Sequence, residues 1–285
     1  AMAPKGKGAA APEEVADPNE RVTPPAFSEE SLAALSFDVA EPYTDPDPQI
    51  LPSSLEAVVA NWQRPSEFLQ ALVEEGGEPY IVQPPVVVED EGAAVVSRDL
   101  PNLLESVPHI TDGEGAAVAE ARRALQWMIS CMQLVALHPG QVDEGCFLWE
   151  LIHPQTDGRP RHVPNGKYAV KLFDQGAWRL VTVDDRIPFD AAGVAMLPRS
   201  AAALELWPLL LAKAVYKLHA GAPSSLSQDP AVLLRLTGWL PQIVPISPRL
   251  PLDAAWAALR ARLGSEACVL SLMLPSHSDE GLAEV

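Results

Sequence analysis

Three cysteines (Cys131, Cys146, Cys268), six histidines and the adjacent pair Asp184-Asp185 are the groups with which this 285-residue chain could do covalent or proton-transfer chemistry. A cysteine attacks as its thiolate. It needs an imidazole to take the proton, an amide or carboxylate to orient that imidazole, and a helix N-terminus or a positive charge to lower the thiol pKa. Cys131 lies mid-way along an apolar helical pattern, on the flank of its stripe, where burial raises a thiol's pKa; it reads as core. Cys268 falls in an apolar run of strand length and reads the same way. Cys131 and His138 are seven apart, as are Cys146 and His153, a weak match to zinc spacing, and no metal or cofactor is assigned. His109, His138, His153 and His162 are scattered through loop-like sequence, His219 sits at a helix end, and His277 lies in a polar tail. Asp184 and Asp185 are neighbours on an expected strand, so they face opposite ways and cannot work as a carboxylate pair.

Any such group must be positioned by the stretch 165–218. Residues 167–173 alternate Tyr168, Val170 and Leu172 against Ala169, Lys171 and Phe173. Residues 178–183 alternate again, and Asp174-Gln175-Gly176-Ala177 lies between them as a turn. The period and length predict a β-hairpin, which Ile187-Pro188 is expected to end, since proline cannot donate to a ladder. The period then changes. Leu206, Trp207, Leu210, Leu211, Ala214, Val215 and Leu218 form one helical stripe, with Lys213 and Lys217 off it. Pro208 fits only the first turn, which places the helix start near Glu205.

The strings G-A-W-R-L-V-T-V-D-D-R-I-P and E-L-W-P-L-L-L-A-K-A-V-Y-K-L resemble the protease core of the calpains, which are papain-like cysteine proteases. N-G-K-Y-A-V-K-L and L-P-R-S within the same stretch resemble the calpain-like domain of the androglobins in particular. The resemblance covers roughly residues 116–275, with an outpost at Asn61–Glu67 and a T-G-G-like segment at Thr237-Gly238-Trp239. It implies an α+β, papain-like fold that is incomplete, with a helical first half carrying the β-hairpin and a chain that ends as the second half begins. It also locates the nucleophile. In the calpain pattern the cysteine directly precedes a tryptophan at the head of the first strong helix. The matching tryptophan is Trp127, so Gln126 stands where the nucleophile belongs, and an amide cannot attack a peptide. Cys146 precedes Phe147-Leu148 but leaves too little chain before the hairpin for the helix and loop the pattern requires. The strings that carry the family's histidine and asparagine, G-H-A-Y-S and N-P-W-G, do not occur, and its acidic calcium loops do not align. Cys131 and Cys146 remain the alternative nucleophiles.

The net charge of -18 is unevenly held: residues 1–115 have 22 acidic against 5 basic side chains, and the remainder 16 against 15. An acidic front without a basic stripe argues against nucleic acid or an anionic membrane and for a basic protein surface as partner. Three scattered cysteines make no disulfide framework, and neither a membrane-length apolar run nor a leader is visible, so a cytoplasmic chain is expected.

Residues 1–52 read as a disordered or extended acidic Pro-rich arm, removable without unfolding the rest. Short helices are expected at Ser28–Leu35 and Ser53–Trp62. Another is expected over residues 65–73, with Pro65 at its head and Gly76-Gly77 beyond its end. Residues 53–115 form a helical and loop lead-in, with at best an edge strand at Tyr80–Val88 and loop from 89. Residues 116–285 form the core. Its helix Ala116–Leu137 has the stripe Leu125, Met128, Ile129, Met132, Val135 and Ala136. An apolar element follows at Phe147–Ile152, then a polar loop through Pro164, the helix Ala231–Leu236, an amphipathic helix Leu252–Leu263 and a strand Cys268–Leu274.

The expected function is a non-catalytic calpain-like scaffold or interaction module. The androglobin resemblance implies a large ciliary or flagellar, microtubule-associated (axonemal) assembly as partner. It also implies that the chain is a fragment or a shortened relative, because no globin or calmodulin-binding segment is visible. The alternatives are an active calpain-type endopeptidase completed by residues outside this chain, and an unrelated ligand-binding α+β domain lacking the hairpin-on-helix packing.

Overall fold

The computed structural model describes residues 26–47, 51, 53–82, 86–90, 93–97, 103–104, 125, 128–136, 147–200, 202–219, 231–240, 253, 256, 257 and 260. Two compact units divide the chain, one comprising 23–244 with 271–285 and the other 1–22 with 245–270. In the second unit Asp253, Trp256, Ala257 and Arg260 are helical, in keeping with the helix expected there. Trp256, expected on its apolar face, is 59% exposed.

The first unit is built on the predicted hairpin. Strands β8 (Lys167–Asp174) and β9 (Ala177–Asp184) pair antiparallel through their whole length, from Lys167 opposite Asp184 to Asp174 opposite Ala177. The two loop residues Gln175 and Gly176 have φ of 50° and 80°, the mirror-image turn whose twist matches that of paired strands. A short strand β5 (Ile152–His153) adds to the other edge of β8, giving the order β5-β8-β9. Both faces of β8 are buried, so its alternation sorts neighbours rather than core from solvent.

Helix α7 (Trp207–Leu218) packs on β9 and β8. It starts two residues later than the period suggested, with Pro208 in its first turn. Its N-terminus lacks a side-chain cap; instead Leu206 N–H and Trp207 N–H donate to the carbonyls of Tyr80 and Ile81 at 3.0 and 3.1 Å. Every residue from Trp207 to Tyr216 is buried, Lys213 included, which corrects the expectation that Lys213 lies off the buried stripe. Helix α5, over 128–136, buries Met128, Ile129, Met132, Val135 and Ala136 as the stripe predicts. Helices α6 (Phe147–Leu151) and α8 (Ala231–Thr237) complete this core against β8.

The lead-in departs most from expectation, because its partners are remote in sequence. Helix α1 (Glu29–Ala33) is capped by Ser28, whose hydroxyl accepts from Ser31 N–H at 3.2 Å. The helix expected over Ser53–Trp62 stops at Glu56 (α2, Ser53–Glu56) because Asn61–Gln63 forms strand β1. That strand pairs with β10 (Ile187–Phe189), Trp62 opposite Pro188. Ile187-Pro188 therefore opens a second strand on an edge, where proline is tolerated, rather than merely ending the hairpin. The helix over 65–73 is broken at Leu69 into α3 (Pro65–Phe68) and α4 (Gln70–Glu74). The region read as edge strand and loop holds a hairpin of β2 (Val86–Asp90) with β3 (Ala93–Ser97). It also holds β4 (Leu103–Leu104), paired with β11 (Arg199–Ser200). The polar loop before Pro164 contains a small hairpin, β6 (Gln155–Thr156) with β7 (Arg159–Pro160).

The arm is also corrected in part. Within residues 26–51, Phe37, Asp45 and Leu51 are buried. Lys171 Nζ sits 5.6 Å from the Phe27 ring centroid and Lys167 Nζ 4.9 Å from that of Tyr43. Phe37, Asp45 and Leu51 of this strap are thus packed into the folded unit.

Candidate functional site

Cys131 occupies the middle of α5 at 1% exposure, and burial pushes its thiol up to about 12, a backbone hydrogen bond to Leu233 opposing weakly. No imidazole is among the groups that set it. A thiol held this far above neutral pH supplies almost no thiolate. Gln126, Trp127, Cys146, Cys268, His109, His138 and His277 lie outside the described residues.

The described histidines are dispersed. His219 caps the C-terminal end of α7 and accepts from Arg235 Nε at 3.4 Å; burial, then the Arg235 charge, lowers its pKa. His162 is lowered by burial. His153, on β5, is 5% exposed with Nε2 unbonded, and burial reinforced by Lys171 pushes its imidazole down to about 4. Among the described residues no group of three or more His, Cys, Asp or Glu could hold a metal ion.

His153 gives a prediction with a definite sign. It is neutral in the fold, whereas the unfolded chain takes up its proton near 6.5, so its stabilising contribution is complete above about pH 6.5 and is lost as pH falls toward 4. The loss is about 2–3 kcal/mol. Urea midpoints measured from pH 7 to 4 should fall less steeply in His153→Gln than in the parent. Equal slopes would show that His153 titrates normally. Asp184, whose carboxyl is lowered in the fold, weakens the fold only below its ordinary 3.8, outside this window. Asp185, raised by burial, acts in the opposite sense but equally in both chains.

What the fold does assemble is a buried ion network at the end of the hairpin. Asp184 ends β9 at 0% exposure. One of its carboxylate oxygens, Oδ1, accepts from Lys213 Nζ and, at 3.1 Å, from Arg186 N–H. The other, Oδ2, accepts from Arg186 Nε and Asp45 N–H, both at 2.8 Å. Lys213 Nζ also donates to the carbonyls of Asp184 (2.9 Å) and Arg186 (2.7 Å) and lies 5.4 Å from the Trp62 ring centroid. One turn along α7, Lys217 Nζ binds both oxygens of Asp45 at 2.6 and 2.7 Å and the Thr182 carbonyl at 2.9 Å.

Asp185 turns the other way, as the strand argument requires. Its carboxylate pairs with Arg64, which also donates to the Tyr43 carbonyl at 2.5 Å. Gly166, at φ 69°, lies so close that a Cβ there would stand 2.3 Å from that carboxylate. The glycine of the N-G pair is thus what lets Asp185 close over it. Burial by itself raises the pKa of Asp184, but Lys213, through charge and hydrogen bond, outweighs it and the net shift is down. For Asp185 burial wins over Arg64 and the net shift is up. Burial lowers Lys213 and Asp184 opposes it. Each of these carboxylates is paired with a cation, and the arrangement fastens the strap, the hairpin and α7 together. Asp45, Tyr43 and Arg64 were missed from sequence alone. The signals for Arg64 were its place in the outpost Asn61–Glu67 and its being the single basic residue between positions 23 and 97.

The Thr237–Trp239 segment is also fixed. Thr237 Oγ1 accepts from Trp239 N–H at 3.0 Å, and a Cβ on Gly238 would meet the Trp178 indole at 2.9 Å.

The two strings that carry the calpain resemblance thus form a hairpin and a mostly buried helix packed together, with Lys213 of the helix bonded to Asp184 and to the Arg186 carbonyl. Residues 126–278 match the profile of the calpain family cysteine proteases. The chain belongs to that family and has its α+β, papain-like fold. It is 32% identical to androglobin of Mus musculus over 242 residues, 76% of this chain and 13% of that protein. The calpain-like protease palB/RIM13 of Cryptococcus neoformans is 27% identical over 170 residues, 55% of this chain and 20% of the protease. Calpain-7 of Homo sapiens is 40% identical over 93 residues, 32% of this chain and 11% of calpain-7. The chain thus spans only a small part of each of these relatives.

Proposed function

We propose that this chain is a non-catalytic calpain-like interaction module, carrying the first half of the papain-like fold and the opening of the second. In this reading it serves as a scaffold within a ciliary or flagellar axonemal assembly. The observation that carries it is Cys131: the one described thiol is buried mid-helix and pushed up to about 12. The sequence supports it, since Gln126 stands at the nucleophile's place and the family's histidine and asparagine strings do not occur. The axonemal setting rests on similarity to androglobin. The names of two other relatives, calpain-7 and the calpain-like protease, favour an active endopeptidase as the second reading.

One experiment separates them. The native chain is incubated at pH 7.5 with a fluorogenic casein, with and without calcium, and in parallel with a thiol-reactive probe. The expected result is no hydrolysis, with Cys131 labelled only after denaturation. Hydrolysis abolished by Cys131→Ala or Cys146→Ala would overturn the proposal. The setting is tested by expressing the tagged chain in ciliated cells, where recovery without axonemal proteins would remove that part of the reading.

A further inference from the structure

The sheet β5-β8-β9 carries two polar side chains that are buried and lack acceptors or donors of their own. His153 on β5 stands opposite Ala169 of β8, and Lys171 lies two residues further along β8, so both project from one face. Diagonal neighbours of this kind are about 7–8 Å apart. Each of the two is 5% exposed. His153 Nε2 has no hydrogen-bond partner. Lys171 differs from every other lysine among the described residues. Lys213 and Lys217 each reach a carboxylate and a backbone carbonyl, and Lys167 reaches the Leu35 carbonyl. Among the described residues Lys171 Nζ has only the Phe27 ring, 5.6 Å away, and the Glu150 charge acting through space.

A buried ammonium without an acceptor is unfavourable, and an apolar side chain of similar length would pack there without that cost. The two groups also oppose each other. Burial and then the Lys171 charge lower the pKa of His153, and burial lowers that of Lys171. An anion between them relieves both at once: Lys171 Nζ donates to it with its charge, and the neutral imidazole donates from Nε2–H. The chemistry of that anion is limited from two sides. The low exposure and the Phe27 ring over Lys171 admit only a small one. The Glu150 charge, already felt at Lys171, opposes a second negative charge.

We propose that Lys171 and His153 form a binding site for a small monovalent anion, held between Lys171 Nζ and His153 Nε2. The site uses no thiol and stands whether or not the chain cleaves peptides.

The probe is sodium formate, added to the full chain at pH 7.5 in a chloride-free buffer, with sodium sulfate at matched ionic strength as the divalent control. Formate at about ten times its dissociation constant should raise the Tm of the parent by about 2–5 °C. Lys171→Met should lose this rise. Sulfate should raise the Tm of parent and variant alike, through its general exclusion from protein surface. The formate NMR line, broadened by the parent through exchange, should stay sharp with Lys171→Met. His153→Leu should weaken formate binding about ten-fold, and His153→Gln, which keeps an N–H donor, should weaken it less. In the parent alone the His153 ring resonance, assigned by its loss in His153→Gln, should move with formate concentration, a readout that does not depend on any Lys171 variant folding. A parent that does not respond to formate, a His153 resonance that stays still, or a Lys171→Met chain that responds as the parent does would each overturn the proposal. So would a Lys171-dependent response to sulfate as large as that to formate, since the site would then not select a single charge.

Discussion

Lys213→Ala is expected to destabilise the folded unit by about 3–5 kcal/mol, read as a lowered urea midpoint at pH 7. The magnitude follows from what is left behind. Lys213 is 0% exposed and donates to the Asp184 carboxylate and to the carbonyls of Asp184 and Arg186. Alanine leaves a buried carboxylate leaning on the Arg186 side chain and two backbone N–H groups, and two carbonyls lose a donor. The contrast is Arg161, whose pair with Asp38 is 33% and 76% exposed. Arg161→Ala should cost no more than about 1 kcal/mol. If the two substitutions cost the same small amount, water reaches Asp184 and the network is not buried.

The second large effect is Trp207→Ala, at about 3–5 kcal/mol. Trp207 is 1% exposed at the head of α7, among the largest fully buried side chains. Its backbone N–H is also one of the two bonds tying the helix start to segment 80–81. Truncation leaves a cavity that neighbouring backbone, already bonded, cannot collapse to fill. Chemical unfolding measures the loss. A midpoint within error of the parent would mean that α7 does not pack on the hairpin as described.

The parts legible in the sequence were those whose partners are near in the chain. The β8–β9 hairpin follows from alternation over sixteen paired positions and a two-residue turn, and the buried face of α5 from its 3.6-residue period. The parts that were not legible depend on remote residues. Nothing local marks Lys213 as buried, because a lysine beside an apolar stripe ordinarily reaches solvent; its carboxylate lies 29 positions earlier. Asn61–Gln63 reads as the tail of a helix until β10, 124 to 128 positions further on, offers it a strand to pair with. Of the candidate site, the orientation of Asp184 and Asp185 was readable from strand geometry. The strap residues that complete their bonding were not.

That strap also orders events in time. Asp45 is made early, yet its cation, Lys217, is added 172 residues later. At ribosomal rates that is an interval on the order of ten to thirty seconds. Throughout that interval Asp45 is without the ion-pair partner it has in the fold, so this bond of the strap can form only after α7 is made.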